Sequence, residues 1–169
     1  MAFEPQGLLR SINRANLGIQ NLKNVEVRSE GLAESERQID QPNWDYTRVG
    51  NFGAVSLKEL KSSNEISQIK LITLDSLNLP RVDFIKMDVE GMEVAALLGA
   101  EKTIQKFRPL LFVENDRAEQ SEALLALLEK WSYKVETHHT SLFNPYNFKG
   151  QPVNIYGNAG SVNILASPL

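Results

Sequence analysis

Phe84-Ile85-Lys86-Met87-Asp88-Val89-Glu90-Gly91-Met92-Glu93 is the stretch on which the fold turns. Phe84, Ile85, Met87 and Val89 make a nearly continuous apolar run, the pattern of a strand covered on both faces. Past Gly91 the period changes, and Val94, Leu97, Leu98 and Ile104 recur at helical spacing. A strand that turns through a glycine into a helix brings its polar residues to the carboxyl end of a sheet. Open α/β folds hold their ligands there. Asp88, Glu90 and Glu93 therefore stand where chemistry is expected. The alternative is that Glu90 and Glu93 only complement the positive end of the helix, and the spacing leaves both readings open.

Working outward, Ile69, Leu71 and Leu74 form an alternating segment before this stretch, and Asp75-Ser76-Leu77 begins a turn that Pro80 ends. After it, Gly99 is expected to break the helix in two. Pro109 then introduces a second apolar run, Leu110 to Val113, which ends on Glu114, Asn115 and Asp116. Two successive strands that stop on carboxylates reinforce the expectation of a site. Ala123, Leu124, Leu127, Leu128 and Trp131 trace an amphipathic helix. Tyr133 to Val135 is a strand, a polar-aromatic loop runs from His138 to Phe148, and Val162, Ile164 and Ala166 alternate in a last strand.

Toward the other end, Ala2-Phe3 reads as the tail of a strand. Leu8, Leu9, Ile12, Ala15 and Ile19 trace a helix, and Val25 and Val27 a short strand. From Ser29 to Asn64 the pattern weakens into a long excursion marked by Pro42, Gly50 and Gly53. Glu30, Glu34 and Glu36 read as solvated surface charge. Trp44 and Phe52 either line a pocket or anchor their own loop. The element order predicts an α/β domain with a mostly parallel sheet and a C-terminal antiparallel pair.

At 169 residues the chain has the length of one domain, and 1–169 reads as a single one. A formal net charge of −3 speaks against a nucleic-acid partner, because counterion release needs clustered Lys and Arg. The absence of cysteine excludes a disulfide framework, a thiolate zinc site and a cysteine nucleophile. No apolar run approaches the ~20 residues that span a bilayer, and the first residues lack a signal-peptide pattern. The expectation is a soluble cytoplasmic protein with no membrane partner.

Several chemistries lack their motif. A phosphate-binding loop of the G-x-x-x-x-G-K-[ST] type is absent, as are G-x-G-x-x-G for a dinucleotide and G-x-S-x-G for a serine hydrolase. Asp88, Glu114 and His138 carry ligand atoms that suit several divalent ions. Neighbouring histidines in a loop are more often surface or hydrogen-bonding residues, so no metal is assigned.

Ala2-Phe3-Glu4-Pro5-Gln6, Asn51-Phe52-Gly53, the Phe84–Glu93 segment, Arg108-Pro109, Val113-Glu114-Asn115-Asp116-Arg117 and Ser161-Val162-Asn163-Ile164-Leu165 together resemble the FkbM-type S-adenosylmethionine-dependent methyltransferases. The resemblance implies a Rossmann-like class I methyltransferase sheet and S-adenosylmethionine as cofactor. Glu4 would accept hydrogen bonds from the ribose hydroxyls, as an acid does on a dinucleotide ribose. Gly31 and Leu32 would lie beside the adenine. Asp88 and Glu90 would face the sulfonium and the acceptor hydroxyl. Glu114, Asn115 and His138 would complete the acceptor side, joined by Asn144 and Trp44, with His138 or a carboxylate as general base. The implied reaction is O-methylation of a small molecule or sugar.

One part of the family pattern is missing. A glycine-rich turn should lie ~20 residues before the ribose acid, yet only three residues precede Glu4. The first strand and first helix are therefore expected to be lacking, with Met1 standing inside the second strand. Unpaired strand edges would follow. The competing expectation is an inactive remnant that uses those edges for interaction, including self-association.

Overall fold

The structure, a computed structural model, describes residues 1–42, 45–47, 49–50, 53 and 66–169. Trp44 and Phe52 lie outside the described residues. The chain forms two compact units, Met1–Leu79 with Ala95–Lys102, and Pro80–Val94 with Thr103–Leu169.

In the first unit, β1 (Ala2–Phe3) leads into α1 (Gly7–Ile19), followed by β2 (Val27–Arg28), β3 (Gly31–Leu32), β4 (Arg37–Pro42) and β5 (Ile66–Ile72). β1 and β2 are parallel, with Ala2 opposite Val27 and Phe3 opposite Arg28. β5 pairs in parallel with β3 and antiparallel with β4. Ile69 and Leu71 are buried while Gln68 and Lys70 are exposed, the period-2 alternation of a strand with one covered face. α1 is amphipathic as its spacing predicts, but none of its residues is buried.

The helix that follows Glu93 is broken as expected, into α2 (Glu93–Leu98) and α3 (Glu101–Phe107). A Cβ on Gly99 would fall 2.0 Å from the Ala33 carbonyl oxygen, so the break sits where backbone meets backbone. The Asp75 carboxylate accepts a hydrogen bond from the Lys102 N–H at 3.0 Å, satisfying a free donor in the first turn of α3.

The second unit holds β6 (Phe84–Met87), β7 (Leu110–Glu114), α4 (Ala118–Lys130), β8 (Tyr133–Ser141) and β9 (Gly160–Pro168), in the sheet order β6-β7-β9-β8. β6 and β7 are parallel, and β9 runs antiparallel to both β7 and β8. Its core gathers Met87, Leu111, Val113, Ile164 and Ala166 from the sheet with Leu124, Leu127, Leu128 and Trp131 from α4 and its end. The i, i+3, i+4, i+7 spacing of those four explains why α4 forms and which side it buries. Beside it, the Tyr133 hydroxyl donates to the Pro109 carbonyl at 2.9 Å.

Four expectations are corrected. The fold is mixed α/β, but among the described residues three of its six strand pairings are antiparallel, so the sheets are not mostly parallel. Phe84 is 56% exposed, because β6 has a strand partner on one side only among the described residues. Glu30 is not simply solvated; it is paired with Arg28 at 2.5 Å. His138 and His139 sit in β8 rather than in a loop, because the ladder with β9 continues to Ser141. No helix among the described residues is long and apolar enough to cross a membrane.

Candidate active site

β6 and β7 run in parallel with Met87 opposite Val113, so the next residues, Asp88 and Glu114, stand side by side at the carboxyl end of the two strands. The chain then turns sharply: Glu90 has φ +50° and Gly91 φ +88°. A left-handed Glu costs on the order of 1–2 kcal/mol, and two interactions hold it. The buried Glu93 carboxylate accepts the N–H groups of Val89 at 3.2 Å and Gly91 at 3.1 Å. Arg117 lies across Gly91, where a Cβ would come within 2.8 Å of its Nε, and pairs with the Glu90 carboxylate at 3.3 Å.

This turn folds Glu90 back over the strand ends. Carboxylate oxygens of Asp88, Glu90 and Glu114 all come within 4.8 Å of one another, close enough to share one cation. Lys86 pairs with Asp88 at 2.8 Å on the exposed side. Burial, then the charges of Asp88, Asp116, Glu90 and Glu93, push the Glu114 carboxyl up to about 7. Glu90 is also raised, by burial and by Asp88, and Arg117 offsets only part of it.

In the first unit, Glu4 follows β1 directly. Its N–H donates to the Arg28 carbonyl at 3.0 Å, which ties the carboxyl ends of β1 and β2 together. Its carboxylate accepts the Gln6 N–H at 2.8 Å, and Arg10 binds the carbonyls of Glu4 and Pro5, both at 3.1 Å. Burial nevertheless raises the Glu4 carboxyl, outweighing the Gln6 N–H and the charge of Arg10. Gly31 is buried and Leu32 half-buried in β3, just past the end of β2.

The family described as the methyltransferase FkbM domain matches residues 1–135. This chain belongs to the FkbM methyltransferase family. No curated protein matches it. Among solved structures it is similar to the crystal structure of methyltransferase FkbM from Methylobacillus flagellatus KT, at 17% identity and a TM-score of 0.57. That similarity covers 96% of this chain and 35% of the other, so this FkbM-family chain spans about a third of that protein's length. At this identity the likeness speaks for the fold, a mixed α/β arrangement.

Among the site residues expected in this FkbM-family chain, the structure brings together Asp88, Glu90 and Glu114. Asn115 adjoins them, but its side-chain amide donates to Ser121 Oγ at 2.9 Å and its N–H to the Val162 carbonyl, so it fastens the start of α4. His138 stands apart: it is opposite Asn163, which is opposite Glu114. Two strand spacings, roughly 10 Å, separate it from Glu114. Asn144 accepts the Tyr146 N–H at 2.8 Å in the exposed loop after β8. Glu4, Gly31 and Leu32 belong to the first unit, and Trp44 lies outside the described residues. Sequence reasoning missed Arg117, whose partner is 27 residues away, and Asn163, which shares a face with Glu114. It also left Glu93 open between site and helix end. The structure gives its carboxylate to the turn's own backbone.

Proposed function

We propose that residues 1–169 act as one S-adenosylmethionine-dependent methyltransferase domain of Rossmann-like class I type that methylates a hydroxyl of a small molecule or sugar. The observation that carries this reading is the cluster of Asp88, Glu90 and Glu114 at the carboxyl end of β6 and β7, in which burial, then neighbouring charge, raises the carboxyls of Glu90 and Glu114. Family membership supports the methyltransferase class.

The residues fit the donor. A sulfonium is a fixed positive charge, and a rim of carboxylates pressed together gains by receiving one. An ionised carboxylate has about four acceptor sites, and the Gln6 N–H takes one of those on Glu4, leaving capacity for a ribose diol. Gly31 and Leu32 would border the adenine. When bound, S-adenosylmethionine supplies an electrophilic methyl group. The protein aligns the acceptor oxygen with it, and orientation of this kind supplies a large part of a rate enhancement.

Glu114 takes the acceptor proton in this reading. A base is most effective when its pKa lies near the working pH, and Glu114 sits at about 7. Asp88 and Glu90 face the sulfonium. Asn115, His138, Asn144 and Trp44 are left on the acceptor side.

Calorimetric titration of the full chain with S-adenosylmethionine tests the proposal. Binding that weakens in Glu4→Gln, with methyl transfer lost in Glu114→Gln, is the expected outcome. No binding, or binding that ignores both changes, would overturn it.

A further inference from the structure

The carboxyl end of the second unit carries a feature that the donor reading does not use. β8 and β9 continue three residues past the row that holds Glu114, from the His138–Asn163 pair to Ser141–Gly160. At ~3.3 Å per residue the hairpin stands roughly 10 Å beyond the rim. A Cβ on Gly160 would lie 2.7 Å from the Thr140 carbonyl oxygen, so a glycine is required at the last rung of the hairpin before the loop 142–159.

That loop is unlike the rest of the chain. Charged residues make up 23% of the protein, yet Lys149 is the only one in 142–159. Four of its eighteen residues are asparagine and four are aromatic. Tyr146 is 92% exposed, Phe148 100% and Tyr156 51%. Exposed rings on a disordered tether would be costly to order on binding, but these are held. Asn144 accepts the Tyr146 N–H at 2.8 Å, and Asn154 accepts the Tyr156 N–H at 2.9 Å. Asn147 braces the segment around Phe148, donating to the carbonyls of Asn144 and Gln151 and accepting the Gln151 N–H. Asparagine thus fixes the backbone at each turn that displays a ring.

We infer that the loop 142–159 is a preorganised platform that recognises a neutral pyranose, presented to the acidic rim at the base of the same hairpin. Three observations choose that occupant. Flat ring faces of Tyr146, Phe148 and Tyr156 suit the C–H face of a sugar, whose slightly positive hydrogens meet the negative face of an aromatic ring. Tyr hydroxyls and the Gln151 and Asn158 amides of the same loop, all exposed, offer hydrogen bonds to sugar hydroxyls. Charge decides between sugars: the four acids Asp88, Glu90, Glu114 and Asp116 at the rim outnumber Lys149, the one cation of the loop, and disfavour an anionic sugar. Preorganisation matters because ordering a loop subtracts from affinity. The inference rests on the proposed methyltransferase reading only for the fate of the bound sugar.

The test uses the full chain, isotope-labelled for NMR, titrated with the methyl glycosides of glucose, galactose, mannose and rhamnose, and with methyl glucuronoside as the anionic counterpart of the glucoside. Amide shifts confined to 142–159 and the adjoining rim are expected with at least one neutral glycoside. The glucuronoside should bind at least about tenfold more weakly than a glucoside that binds, or show no shift. Tyr146→Ala and Phe148→Ala should each weaken binding roughly threefold to tenfold. Both positions are exposed, so the remaining spectrum reports that the fold is intact. Failure of every neutral glycoside to shift the loop would overturn the inference. So would light scattering that shows a dimer dissolved by Tyr146→Ala, because the occupant would then be a second copy. Donor binding by the unaltered chain is measured separately, so loss of the sugar result leaves the methyl-donor reading standing, and the reverse holds too.

Discussion

Glu30 and Glu114 are the same side chain set in two kinds of surroundings, and they titrate in opposite directions. At the corner between β2 and β3, the Arg28 hydrogen bond holds the Glu30 carboxyl below the usual glutamate range, against the effect of burial. Arg28 spans Glu26 at 3.2 Å and Glu30 at 2.5 Å, so each carboxylate meets a guanidinium N–H where its charge arises. At the β6–β7 rim, burial and four neighbouring acids push Glu114 up instead. Arg117 answers Glu90, not Glu114. The first corner is a structural ion pair. The second stores negative charge that an incoming cation can relieve, and such perturbed groups cluster where proteins bind and react.

The contrast can be broken most forcefully at the donor. Glu4→Gln should weaken S-adenosylmethionine binding roughly tenfold to a hundredfold, the worth of charge-assisted hydrogen bonds. Glu30→Gln should leave it within about twofold, as calorimetry would show. Equal losses would erase the distinction between binding carboxylate and structural one. Next in size, Arg28→Ala strips Glu30 of its partner and should cost roughly 1–3 kcal/mol of stability in urea unfolding.

The pH dependence sharpens the comparison further, because the two glutamates carry opposite signs. Glu114 is raised, so its favourable contribution is complete below the unfolded value near 4.5 and is lost as the pH climbs through about 7. Glu114→Gln should therefore stabilise the chain by roughly 1 kcal/mol at about pH 8, after allowance for solvent screening, and by little at about pH 4. Glu30 is lowered, so its contribution is present above 4.5 and is lost as the pH falls through its folded value. Glu30→Gln should destabilise at about pH 8, with the difference shrinking in acid. The smallest effect belongs to Lys134 and Glu136, a solvent-exposed pair at 2.7 Å on β8. Removing either should leave the unfolding midpoint unchanged within measurement error.

How much of this the amino-acid order disclosed depends on where each interaction closes. The Phe84–Glu93 turn, the second acid-terminated strand and the Gly99 break were legible, because an apolar run cut by polar residues is a local signal. β4 was not: Arg37, Gln38, Asp40 and Gln41 leave Ile39 as one apolar residue before Pro42, so this strand reads as loop. The far half of β8 escaped for the same reason, since Thr137 to Ser141 is exposed and shows no alternation of burial. Glu93 and Glu90 look equivalent in sequence, yet one carboxylate satisfies its own turn and the other meets Arg117. Tertiary partners decide such cases, and composition does not encode them.

The most direct measurement is an NMR titration of the Glu114 side-chain carboxyl, first in the free chain and then with S-adenosylmethionine. A midpoint at about 7 that moves downward when the positively charged donor is added is the predicted result. A midpoint near the ordinary 4.5, or one that the donor leaves where it was, would contradict the account.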